Sequence, residues 1–155
     1  GFVLELIGFC SGNVQMGGAG NQTILLVEDY KDSREMIRFS LEDLGYRIME
    51  ARNGKEALDL ASREIPDLVL TDFNLPDIDG TTLIKRLRTL ADKISRIPII
   101  MLTAQDRGEL YELAMAAGCT AFLTKPVSFV VLEETINRLL EECGELNGSV
   151  NDISH

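Results

Sequence analysis

Apolar positions along the chain fall into two alternating kinds of run. TILLV, Thr23–Val27, is continuously apolar, which predicts a short strand buried on both faces. Over residues 31–44, Met36, Ile37, Leu41 and Leu44 recur with Ser40 at helical spacing, and Gly45 stands where that helix should stop. Tyr46–Ala51 reads as a second, weaker strand, and Asn53-Gly54 as a turn. Ala57, Leu58, Ala61 and Ile65 mark another helical face, which Pro66 prevents from continuing. Asp67–Asp72 is the third strand, and Thr81–Leu90 a helix with Leu83, Ile84, Leu87 and Leu90 inward. Pro98–Thr103 is the fourth strand, Glu109–Ala117 a helix closed by Gly118, and Cys119–Thr124 the fifth strand. Ser128 caps a last helix with Phe129, Leu132, Ile136, Leu139, Leu140 and Cys143 on its inner face. Met36, Met49 and Met101 fall at periodic apolar positions and read as core packing.

Strands alternating with helices predict an α/β fold, a doubly wound five-stranded parallel sheet with helices on both faces. The weak second strand belongs at an edge, which gives the order 2-1-3-4-5 and a crevice at the carboxyl ends of strands 1 and 3. The domain so predicted spans residues 22–143, followed by a polar, flexible tail over 144–155. Residues 1–21 hold a short apolar patch and a glycine-rich stretch, read as tag or linker outside the fold, with Met16 as a candidate start. They lack a basic leader, and the apolar run is too short to span a bilayer.

Charge narrows the partners. The 155 residues carry a formal net charge of −10, which argues against direct nucleic-acid binding through a basic face and against an anionic membrane surface. The three cysteines, Cys10, Cys119 and Cys143, match no metal-knuckle spacing and read as reduced thiols of a cytoplasmic protein. The sole histidine is His155, so internal histidine chemistry is excluded. Lys85, Arg86 and Arg88 read as a solvated helix face, and Arg34 as the partner of a surface acid.

The stretch DLVLTDFNLPDIDG, residues 67–80, drives a buried strand straight into a carboxylate at Asp72. In the predicted order, Glu28-Asp29 at the end of strand 1 lies beside it. Thr103 ends strand 4, and Lys125-Pro126 follows strand 5. Two unit charges at about 4 Å repel by on the order of 4 kcal/mol at an effective dielectric of about 20. Clustered carboxylates therefore call for a positive partner. A hard divalent cation with oxygen ligands, Mg²⁺, suits them, and Lys125 can neutralise the other side.

VEDYKDSR, DLVLTDFNLPDIDG, IIMLTA and AFLTKP resemble response-regulator receiver domains of two-component signalling, over about residues 22–143. The resemblance implies a flavodoxin-like, chemotaxis-regulator-like fold with Asp72 as phospho-acceptor. Glu28 and Asp29 match the acidic pair that holds Mg²⁺ (with Mn²⁺ as a substitute), and the backbone carbonyl of Asn74 the loop ligand. Thr103 matches the hydroxyl that bonds a phosphoryl oxygen, Lys125 the lysine that pairs with it, and Phe122 the aromatic whose rotamer tracks activation. Pro126 matches a proline that often follows a cis peptide. Two residues depart from common usage: Glu28 where many members have Asp, and Phe122 where Tyr is frequent.

The implied function is that of a phospho-accepting domain rather than an enzyme, limited to its own phosphorylation and slow autodephosphorylation. The donor is a sensor histidine kinase or histidine phosphotransfer protein, and the target an unknown downstream protein or output domain. The surface made by the helix over 105–117, the strand over 119–124 and the helix over 128–143 carries the signal, with Phe122 turning inward behind Thr103. The chain is then either a stand-alone regulator or the receiver piece of a longer protein. The alternative is a receiver-like interaction domain that works without phosphorylation. An EF-hand reading of DFNLPDIDG fails, because Pro76, Asp77 and Leu83 fall where a ligand, the glycine and the glutamate belong. A haloacid-dehalogenase phosphatase needs a second Asp where Asn74 stands. A flavin binder needs a phosphate cradle where the acidic EDYKD follows strand 1.

Overall fold

Alternate residues of each strand feed opposite faces of one sheet. The computed structural model describes residues 22–104 and 108–153, with side chains through Glu142. The elements run β1 (Thr23–Val27), α1 (Lys31–Asp43), β2 (Arg47–Ala51), α2 (Gly54–Arg63), β3 (Leu68–Asp72), α3 (Gly80–Arg88), a 3₁₀ turn (Ile94–Arg96), β4 (Ile99–Thr103), α4 (Glu109–Ala117), β5 (Ala121–Thr124) and α5 (Phe129–Ile153). All pairings are parallel and the order is β2-β1-β3-β4-β5, the 2-1-3-4-5 arrangement. The expectation for residues 1–21 lies outside the described residues.

Burial on both faces explains the unbroken apolar strands. Leu25, Val27, Val69, Ile99 and Met101 pack under α2, α3 and α4, through Ala57, Ala61, Leu83, Ile84, Leu87, Ala114 and Ala117. Ile24, Leu26, Leu68, Leu70, Ile100 and Leu102 face the other way, onto Ile37 and Leu41 of α1 and Leu132, Ile136, Leu139 and Leu140 of α5. Such fully buried aliphatic side chains contribute roughly 1.5–3 kcal/mol each.

Several residues read as inward are not. Met36 is 56% exposed, and Leu44, Ile65, Leu90 and Phe129 also stand out to solvent. On α1 the pair Ile37 and Leu41, one turn apart, faces the sheet, and Met36 lies about 100° around the helix from Ile37. Leu90 lies past the end of α3, and Phe129 opens α5 at the sheet's carboxyl edge. Arg88 is no solvated charge either. Its guanidinium donates to the carbonyls of Gly118 (2.6 Å), Ile97 (2.6 Å) and Ile94 (3.1 Å), tying α3 to the α4–β5 turn and the start of β4. Arg34 does pair with an acid, Glu50, at 3.1 Å.

Caps set the helix starts. Asn53 Oδ1 accepts from Glu56 N, Asp79 Oδ1 from Thr82 N, and Ser128 Oγ from Val131 N, each within 3.0 Å. Gly118 ends α4 at φ +113°, a left-handed turn that favours glycine. Helix α5 continues through the polar stretch from Gly144 to Ile153. No proline interrupts it, so the backbone bonds of the helix carry on through polar sequence.

Candidate functional site

Register brings the acids together. Val27 pairs with Thr71 and Asp72 with Leu102, so β1, β3 and β4 end at one edge. Glu28 and Asp29 leave β1 there, and their carboxylate oxygens lie within 4.8 Å of those of Asp72 and of one another. Glu28 is 2% exposed and Asp72 7%, while Asp29 is open to solvent. The three predicted acids thus form one cluster with a wet side.

Lys125 reaches in from the end of β5. Its Nζ lies 3.1 Å from Glu28 Oε1 and 3.2 Å from Asp72 Oδ1. Its backbone N–H donates to Thr103 O at 2.7 Å, which fixes the lysine against the end of β4. The Lys125-Pro126 peptide is cis, as the resemblance implies. Burial raises the pKa of Asp72, with Asp29 adding to it, although Lys125 and the Phe73 N–H pull the other way. Burial likewise raises Glu28, reinforced by the charge of Asp72. Burial works against the Lys125 ammonium, but Glu28 and Asp72 outweigh it and its pKa rises.

Thr103 is fully buried at the end of β4. Phe122 is buried as well, its ring edge-on to Tyr111 with centroids 5.5 Å apart. The ring expected to turn inward already lies inside, because Met101, Tyr111 and Phe122 share one apolar cluster. Asn74 sits exposed two residues beyond Asp72. The loop that carries it is closed by Gly80 N donating to Phe73 O at 2.7 Å. Gly80 allows this approach, since a Cβ there would stand 2.9 Å from the carbonyl oxygen of Asp72.

Three features escaped sequence reasoning. Arg34 donates to the Glu28 carbonyl at 2.9 Å while pairing with Glu50, so it braces the acidic turn. Asp77 accepts from Gly54 N and Lys55 N at 2.8 Å, stapling the β3–α3 loop to the start of α2. A cavity of about 430 Å³ opens beside Glu28 and Lys125, walled by Met36, Ile37, Leu102, Pro126 and Phe129. The DG-type loop was a visible signal, but its partner at the start of α2 lies 23 residues away in sequence.

An acidic triad facing a lysine across three strand ends, in this strand order, matches a known family: residues 24–137 fit the response regulator receiver domain. This chain belongs to the response regulator receiver family. The receiver is 36% identical over 119 residues to the polar-differentiation response regulator DivK of Brucella anthropi, covering 77% of this chain and 96% of that protein. It is 45% identical over 104 residues to an uncharacterised 14.6 kDa protein of Leptolyngbya boryana, covering 67% and 79% of the two chains. Chemotaxis protein CheY4 of Vibrio cholerae superposes with a TM-score of 0.73 at 31% identity, over 76% of this receiver and 98% of that chain. The receiver domain of a Pseudomonas aeruginosa sensor histidine kinase, solved with magnesium ion coordinated in its active-site cleft, gives 0.72 at 33% identity, over 77% and 98%. Among the described residues no helix is long and apolar enough to cross a membrane.

Proposed function

We propose that this receiver accepts a phosphoryl group on Asp72 in a Mg²⁺-dependent reaction and passes the change to a partner. The bridge from Lys125 to both Glu28 and Asp72 carries the reading, because it places a cation against the carboxylate that attacks. An Asp72 carboxylate oxygen attacks the phosphorus of a phosphohistidine on a histidine kinase or phosphotransfer protein. The new P–O bond forms as the P–N bond breaks, and the electron pair leaves with the imidazole. The product is an acyl phosphate, and Lys125 offsets part of its added charge.

Glu28, Asp29 and Asp72, with the Asn74 carbonyl, fit a hard cation: all are oxygen donors, and the carboxylates converge. Bound Mg²⁺ supplies charge neutralisation at the phosphoryl oxygens, and Mn²⁺ substitutes for it. Thr103 hydrogen-bonds a phosphoryl oxygen, and Phe122 then reports the change through the face made by α4, β5 and α5 to a downstream protein or output domain. The domain acts in the cytoplasm and catalyses no turnover beyond its own phosphorylation and slow autodephosphorylation.

The test is intact mass after incubation with acetyl phosphate, with and without Mg²⁺, beside Asp72→Asn. A gain of about 80 Da, one phosphoryl group, that needs both Mg²⁺ and Asp72 is the expected result. Absence of the adduct, together with no beryllofluoride-induced shift at Thr103 and Phe122 in NMR spectra, would overturn it in favour of an interaction domain that works without phosphorylation.

A further inference from the structure

The turn between β1 and α1 carries two of the three clustered acids, Glu28 and Asp29. Helices α2, α3 and α5 are each capped by a side chain, from Asn53, Asp79 and Ser128, whereas Tyr30 opens α1 with no side-chain cap. A turn that holds two carboxylates against a third is pushed apart by their charge. Something other than a cap has to fix it.

Arg34 grips this turn twice. Its backbone N–H donates to the Tyr30 carbonyl at 2.9 Å, and its Nη1 donates to the Glu28 carbonyl at 2.9 Å. Asp29 lies between the two gripped carbonyls. The Glu28 N–H in turn donates to the Ala51 carbonyl at 3.0 Å, so the peptide units on both sides of Glu28 are tied. Arg34 meets Glu28 at its main chain, where Lys125 meets the carboxylate.

The guanidinium is itself anchored. Arg34 Nε donates to Glu50 Oε1 of β2 at 3.1 Å, and Arg38 Nε, one turn further along α1, lies 2.9 Å from Glu50 Oε2. The Arg34 side chain is 12% exposed in this position. A planar, rigid fork serves a carbonyl and a carboxylate at once in fixed directions, which a single ammonium on a flexible stem does not reproduce.

We propose that Arg34, anchored by Glu50, is a positioning residue for the divalent-cation site, holding the Glu28-Asp29 turn so that both carboxylates converge on Asp72. The inference rests on the Mg²⁺ reading of these acids given above. Charge and geometry make opposite demands on Arg34. It is a cation bound to the backbone of a ligand residue, so by Coulomb repulsion alone its removal tightens the binding of a second cation. Positioning has the other sign: without Arg34 the ligands must be ordered at the moment of binding, and affinity falls.

The test measures Mg²⁺ affinity of the full chain by isothermal titration calorimetry, at a temperature where circular dichroism shows parent and variants folded. Arg34→Met should raise the Kd for Mg²⁺ about tenfold, the lower end of what losing an outer partner of a metal ligand costs. Arg34→Lys keeps the charge but loses the fork, and should raise the Kd by a smaller factor. Arg47→Met, also on β2 but paired with Glu64, should leave it unchanged. An unchanged or lowered Kd in Arg34→Met overturns the proposal. Should that variant not fold, an unchanged Kd in Arg34→Lys does the same. A parent that binds no Mg²⁺ overturns the cation site and this inference together, whereas a parent and Arg34 variants that bind equally well overturn the positioning role alone.

Discussion

Lys125 Nζ sits 3.2 Å from Asp72 Oδ1, spanning from the end of β5 to the end of β3 across the intervening β4. It touches Glu28 as well, so one ammonium holds two buried carboxylates in place. Removing it leaves both without their cation. Lys125→Met should destabilise the chelator-treated protein by about 1–3 kcal/mol, below the full value for a buried pair because the lysine is partly exposed. Millimolar Mg²⁺ should restore part of that loss. Urea titrations with EDTA and with Mg²⁺ check this, and equal losses in both would refute it.

Asp72 has the opposite sign. Burial raises its folded-state pKa above the ordinary carboxylate value. The folded state then binds the proton more tightly than the unfolded chain. Stability falls as pH rises from the unfolded value toward the folded one, and stays lower above it. Asp72→Asn removes that penalty. In EDTA at pH 7 the variant should melt higher than the parent, with a flatter profile on the acid side. Thermal melts between pH 4 and pH 8 measure it; a variant that melts lower at pH 7 counts against the strained carboxylate.

Phe122 and Tyr111 meet edge-on in a buried cluster. Phe122→Ala should cost about 3–5 kcal/mol. A double-mutant cycle with Tyr111→Ala should yield a coupling of about 0.5–1.5 kcal/mol. Strict additivity would mean the rings are mere neighbours.

Arg88 donates to three carbonyls, those of Ile94, Ile97 and Gly118. Arg88→Met leaves these acceptors without their donor, at a loss of about 1–3 kcal/mol. Gly118→Ala should destabilise too, since its φ of +113° is strained for alanine and the new Cβ meets Arg88 Nε at 2.9 Å. Hydrogen exchange should show the α4–β5 turn opening first in both variants; unchanged protection there would contradict the clamp.

Asp77 accepts three backbone N–H groups, from Gly54, Lys55 and Ile78. Burial is the largest single influence and pushes its pKa up, but the backbone donors together outweigh it and hold it low. Its stabilisation is therefore present above the unfolded carboxylate value and is lost as pH falls through the folded one. Asp77→Ala should lower stability at pH 7 by about 0.5–2 kcal/mol, the usual range for a lost cap. The difference between variant and parent should vanish at low pH in denaturant titrations, and a constant difference would rule out the charged cap.

The sequence made the sheet legible because β1, β3 and β4 are buried on both faces and so read as unbroken apolar runs, while the partly exposed β2 betrays itself as an edge by its charged residues. Glu28, Asp29, Asp72, Thr103 and Lys125 were legible for the same reason: each stands where such a run stops. The pattern failed where packing depends on which turn of a helix faces inward. Met36 is as apolar as Ile37, and only the helix azimuth separates them, whereas Phe129 shares the face of Ile136 and stands out because it opens α5 at the sheet's edge. Arg88 was misread because its acceptors, in the 3₁₀ turn and in the α4–β5 turn, lie outside its own helix, which no local pattern reveals. Local composition likewise hid the continuation of α5, whose polar residues from Gly144 resemble a tail.

The geometry of α5 carries a mechanical consequence. Its first turn begins three residues after the Lys125-Pro126 junction, against the acidic cluster, and its far end reaches Ile153. A helix held at one end near a charge that changes, and braced along its middle by Leu132 and Leu139, behaves as a lever arm with its fulcrum in the core. A tilt of a few degrees that barely shifts Phe129 is multiplied at the far tip. A displacement too small to read at the acids becomes legible at the helix's distal end.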